Sequence, residues 1–78
     1  LNGQTMQDSN TSNMIFKIPY LISYLSRTLT WEPGDILSTG TPEGIGASRT
    51  PPVFLKPGDT VSVTVETVGT LTNSVAAA

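Results

Sequence analysis

Neither cysteine nor histidine occurs in this chain. No disulfide framework and no thiolate or imidazole metal site can form, so carboxylates and neutral oxygens are the only ligands on offer. A histidine-activated nucleophile is excluded for the same reason. Basic residues are scarce as well: four Lys and Arg against six Asp and Glu give a net charge of -2. There is no basic patch for neutralising phosphates and no polybasic membrane anchor, so nucleic acid and membrane surfaces are not expected partners. No apolar run approaches the roughly 20 residues that span a bilayer, and the polar N-terminus has no signal-peptide pattern. The expected compartment is the cytoplasm, or the mitochondrial matrix in a eukaryote. With 78 residues, 37% of them hydrophobic, the chain makes at most one small domain with a modest core and needs a covering surface from elsewhere.

Asn2-Gly3 is a strong hairpin signal, because a type I′ turn needs positive φ at both central residues. Only Leu1 precedes it, so the sequence is expected to start inside a hairpin, as the C-terminal piece of a longer protein. After the polar stretch Gln7–Asn13 come Met14-Ile15-Phe16, and then Ile18, Leu21, Ile22, Leu25 and Leu29 at three- and four-residue spacings. That stripe predicts one amphipathic helix of about three turns, with Pro19 in its first turn and its apolar residues and tyrosines in a core. Glu32-Pro33-Gly34-Asp35 and Lys56-Pro57-Gly58-Asp59 repeat a turn pattern, each followed by a predicted strand. Val61, Val63 and Val65 alternate with Ser62, Thr64 and Glu66, the pattern of a half-buried antiparallel strand; Val68-Gly69 permits a turn into a returning strand over Thr70–Val75.

None of the carboxylates Asp8, Glu32, Asp35, Glu43, Asp59 and Glu66 is paired at a spacing that puts two on one face, so no metal triad and no acid/base dyad is legible. Asp35 and Asp59 read as turn residues and Glu43 as an exposed loop carboxylate. Lys17 and Lys56 lack the surroundings of an activated amine. Asn10-Thr11-Ser12 fits an N-glycosylation pattern but has no secretory signal to support it. What stands out is "STGTPEGIG", residues 38–46, with three glycines and a proline in nine positions. Thr39-Gly40-Thr41-Pro42 offers unshielded backbone amides and two hydroxyls able to donate to a carboxylate or carbonyl oxygen. The phosphate-loop ending Gly-Lys-Ser/Thr is missing. From the residues alone the loop reads equally as the wall of a binding site or as a structural turn.

The order "NGQTMQDSNTSNMIF", "IPYLISYLSRTLTWEPGDILSTGTPEGIG" and "FLKPGDTVSVTVETVGTLTNSV" resembles the C-terminal part of the fumarylacetoacetate hydrolase family, closest in look to its acylpyruvase and oxaloacetate decarboxylase members. The resemblance covers Leu1 to Val75, and "EPGDILSTGTPEGIG" is its most specific element. It implies an α+β fold, a partial mixed β-roll with one amphipathic helix, in which residues 1–78 are the C-terminal part of one catalytic domain whose N-terminal half is absent. It implies Mg²⁺ or Mn²⁺ chelating a 2-oxo acid or 1,3-dicarbonyl substrate whose carbon–carbon bond is broken by hydrolysis or decarboxylation. The family's metal ligands, an Asp or Glu, a Glu-x-Glu pair and a further Asp, lie upstream of this segment, as does its His/Glu pair. No catalytic or metal-binding residue is therefore assigned here. Thr41 matches the threonine that holds the substrate carboxylate or oxo group, Gly40 lets that backbone approach, and Gln7 falls near a glutamine used for substrate contact. The implied partners are a small keto acid, the upstream half of the domain and, for the complete protein, a second copy in a homodimer. Two other classes compete with the enzyme: an inactive truncated fragment, and a small β-rich module that binds an acidic metabolite without chemistry.

Overall fold

A computed structural model describes all residues, 1–78, as two compact units: Ser9–Pro42, and Leu1–Asp8 together with Glu43–Ala78. In the first unit, Asn10 opens a single 3₁₀ turn, Thr11–Asn13, its side-chain oxygen accepting from the Ser12 amide at 2.9 Å. Capping is thus the structural use of this asparagine. Lys17 Nζ donates to the Ser12 carbonyl, and helix α1 follows over Ile18–Leu25 with Pro19 in its first turn, where a missing N–H costs nothing. At eight residues the helix is shorter than the expected three turns. Ser26 ends it: both its amide and its hydroxyl donate to the Ile22 carbonyl, at 3.0 and 2.6 Å, and a loose turn carries the chain on to Leu29.

The expected apolar stripe is only partly covered. Leu21 and Leu25 are half-buried, whereas Ile18, Ile22 and Leu29 are exposed. The tyrosines are exposed as well, and form a ladder instead of a core. Phe16 stacks on Tyr20 with centroids 5.3 Å apart, Tyr20 on Tyr24 at 6.1 Å, and the Arg27 guanidinium sits 5.7 Å from the Tyr24 ring centre. The three aromatic positions recur every four residues, Phe16 just before the helix and Tyr20 and Tyr24 on it, the spacing at which helical side chains meet. Trp31 is half-buried and donates from Nε1 to Ser26 Oγ at 3.0 Å. After the turn at Pro33-Gly34 the expected strand does not form; residues 35–40 are irregular and Ile36 is 92% exposed. A strand exists only where another chain segment completes its ladder, and no other strand of these residues pairs with 36–39.

The second unit contains the sheet. Strand β1, Thr60–Val65, pairs antiparallel with β2, Gly69–Ser74, in a register that sets Val61 opposite Asn73, Val63 opposite Leu71 and Val65 opposite Gly69. The predicted alternation is therefore present: valines and Leu71 share one face, and Ser62, Thr64, Thr70 and Thr72 the other. Hydroxyls on that second face pair across the strands, Ser62 with Thr72 at 2.9 Å and Thr64 with Thr70 at 2.8 Å. The valine face is not half-buried as expected, since Val63 and Val65 are 56% and 54% exposed.

The Asn2-Gly3 turn forms as expected, with φ of +50° and +81° and a bond from the Gln4 amide to the Leu1 carbonyl at 2.9 Å. What its sequence does not disclose is where it docks. The Asn2 amide donates to the Thr60 carbonyl and the Asn2 side-chain oxygen accepts from the Thr60 amide, both at 2.8 Å, so the turn is bonded to the first residue of β1. Asn2 Nδ2 also donates to Asp59 Oδ1 at 2.9 Å. Asp59 is 5% exposed, the most enclosed polar residue of the chain, and no apolar side chain is fully buried. The modest core expected from composition is not assembled by these residues. One helix and a two-stranded antiparallel sheet give an α+β segment whose apolar surface faces outward.

Candidate functional site

The glycine-rich segment 38–46 crosses from one unit into the other between Pro42 and Glu43. Gly40 and Thr41 lie in the first unit; Gln7 lies in the second. At Gly40 the backbone takes φ +94°, a conformation that side chains disfavour, and the space a Cβ would occupy is open. Its requirement for glycine is conformational, and nothing in the chain fills the open side.

Gly44 and Gly46 differ from Gly40. A Cβ at Gly44 would overlap the Met6 carbonyl oxygen and press on Gln7 Cγ, and one at Gly46 would overlap the Val53 carbonyl oxygen. These two glycines are required by close backbone approach within the protein. The Gly46 carbonyl in turn accepts from the amides of Arg49 and Val53, at 3.2 and 2.9 Å, across the single 3₁₀ turn Gly46–Ser48. The loop that reads equally as a binding wall or a structural turn is thus split: nothing lies within 4 Å of a Cβ at its first glycine, and its last two are held against the chain itself.

Gln7 is brought beside Gly44, since its Cγ is what a Gly44 side chain would touch after the Met6 carbonyl. Arg49 completes the cluster. It is half-buried, with Nε donating to the Gly44 carbonyl at 3.2 Å and an Nη donating to the Met6 carbonyl at 2.5 Å. Sequence reasoning missed this residue, because a lone arginine in "ASRTPP" carries no motif; its place five residues after Gly44 is the only sign. Charge is otherwise sparse here. No group of three or more His, Cys, Asp or Glu side chains is placed to hold a metal ion, so the residues present do not fit the metal that the resemblance implies. The one carboxyl displaced from its ordinary value is remote from the loop in sequence: Asp59 is held below the usual carboxylate range by the Asn2 side-chain bond first, then by the Lys56 amide.

These features define an α+β segment that carries a glycine-threonine loop and leaves most of its apolar surface exposed. The chain belongs to the fumarylacetoacetate hydrolase family: the family model described as Fumarylacetoacetate (FAA) hydrolase C-terminal matches residues 1–76. A protein of Staphylococcus saprophyticus described as uncharacterized is 50% identical over 76 residues, which is 97% of this chain and 25% of the relative. An uncharacterized protein of Staphylococcus aureus strain USA300 matches with the same identity and the same coverage. The chain therefore spans about a quarter of the length of the curated relatives it matches. No helix is long and apolar enough to cross a membrane.

Proposed function

We propose that these residues are the C-terminal part of a metal-dependent enzyme that cleaves a carbon–carbon bond in a 2-oxo acid or 1,3-dicarbonyl substrate, of the fumarylacetoacetate or acylpyruvate hydrolase or oxaloacetate decarboxylase type. The observation that carries the reading is the family match over residues 1–76, which includes the whole Thr39-Gly40-Thr41 loop. The complete enzyme works as a homodimer, and by the family resemblance its Mg²⁺ or Mn²⁺ is held by residues outside this segment.

The contribution of this chain is to bind and orient. Thr41 donates from its hydroxyl and amide to the carboxylate or oxo oxygen of the substrate, and the open side of Gly40 lets that oxygen approach the backbone. Gln7 is given an amide-donor role by the family resemblance alone. Each such bond stabilises the bound keto acid by replacing the water that its oxygen gives up on binding. The test is oxaloacetate decarboxylation and acylpyruvate hydrolysis with Mg²⁺ or Mn²⁺, by this chain alone and joined to the upstream part of a family member. Activity is expected only in the joined protein, where Thr41→Val lowers kcat/KM by about 1–3 kcal/mol in transition-state terms. An unchanged kcat/KM removes Thr41 from the site; no turnover of either substrate overturns the reaction class.

A further inference from the structure

The guanidinium of Arg49 spans two carbonyls that are far apart in sequence, those of Met6 and Gly44. In sequence, Met6 immediately precedes Gln7, and Gly44 follows Thr41 by three residues, Gln7 and Thr41 being assigned to substrate by the family resemblance. A backbone carbonyl at Met6 and a glycine at Gly44 lie so close that no side chain fits between them. Such contact brings two main-chain segments together where Gly44 has no side chain to hold them. The planar fork of arginine supplies the missing fastening, since it can donate in two directions at once while remaining charged. A half-buried guanidinium directed at two carbonyls commits its donors to loop geometry.

We propose that Arg49 is a positioning residue for the substrate loop: it pins the C-terminal flank of the Thr41 loop, at Gly44, to the segment that carries Gln7. This rests on the substrate reading given above only for its effect on catalysis; the pinning itself stands on the contacts of Arg49. Lysine keeps the charge at this position but, having a single terminal nitrogen on a flexible stem, cannot reproduce both bonds in a fixed fork.

The experiment compares Arg49→Lys, Arg49→Met and Thr41→Val with the parent in the complete, joined enzyme, using oxaloacetate as substrate and amide hydrogen exchange as a readout that needs no turnover. Arg49→Lys is expected to raise KM about tenfold with kcat within about twofold, because the loop is displaced and the chemistry is not. Exchange quickens at the Ser48 and Val53 amides, which donate to the Ile45 and Gly46 carbonyls, and is unchanged in β1 and β2; Arg49→Met shows the same pattern more strongly. Unchanged exchange at Ser48 and Val53 overturns the proposal, and so does exchange that quickens equally in the hairpin, which makes Arg49 a general stabiliser. A KM unmoved by Arg49→Lys alongside a KM raised by Thr41→Val also overturns it. If neither Thr41→Val nor Arg49→Lys moves KM while exchange at Ser48 and Val53 still quickens, the substrate reading fails and the pinning survives.

Discussion

In the turn Glu32–Asp35 the Asp35 carboxylate accepts from the Glu32 amide at 2.9 Å, the Asp35 amide returns a bond to the Glu32 carbonyl at 3.1 Å, and Gly34 has φ +94°. In the turn Lys56–Asp59 the corresponding distances are 3.0 and 3.1 Å and Gly58 has φ +94°. Proline, glycine and aspartate in this order build the same object twice. The two chains of residues leaving these turns have different fates. Beyond Asp59 the backbone enters β1, bonded to β2 and to Asn2; beyond Asp35 it runs on without a ladder. Asp59 is enclosed, and Asp35 is exposed. A turn is a local matter settled by four residues, whereas a strand is a joint product of distant segments and fails when one is missing.

That contrast can be broken most forcefully at the aspartates. In this chain joined to the upstream part of a family member, Asp59→Ala should lower the urea midpoint about three times as much as Asp35→Ala, since it also removes the acceptor of the Asn2 side-chain amide. Equal effects would mean that the bond from Asn2 to the Asp59 carboxylate contributes nothing. The glycines test the opposite limb. Neither Gly34 nor Gly58 has an atom within 4 Å of a Cβ, so alanine at either meets only the unfavourable φ and should cost about 1–2 kcal/mol at both sites. A clear inequality between them would show that the two turns are not the same object.

The smallest effect is on acid stability. Asp59 is held below its ordinary 3.8 by hydrogen bonds from Asn2 and Lys56, so its carboxylate contributes stability that is fully present above that value. It is lost as pH falls below 3.8 through the lower folded value. An Asp59→Asn variant, which cannot titrate there, should show a shallower fall of urea midpoint over that window than the parent; parallel curves would remove Asp59 as the acid-sensitive contact.

How much could be read in advance obeys the same division. Both Pro-Gly-Asp turns, the Asn2-Gly3 turn, the start of α1 at Pro19 and the alternation of β1 are local, and each is legible in a few neighbouring residues. The absent strand after Asp35, the exposed tyrosines and the exposed valines are not, because all three are decided by contacts between distant segments rather than by near neighbours. Within the loop, Gly40, Gly44 and Gly46 look alike in sequence; only distant Met6 and Val53 distinguish the two that are pressed against backbone from the one that is open. Arg49 was illegible for that reason, since its partners lie five and forty-three positions away.

The paired hydroxyls of Ser62, Thr64, Thr70 and Thr72 make one side of the hairpin self-sufficient, while the opposite side presents valine and leucine to water. With that face exposed, the segment has the character of a small surfactant. It will gather at air–water and plastic surfaces with the valines turned away from solvent, so losses on handling should respond to mild detergent more than to salt or dilution.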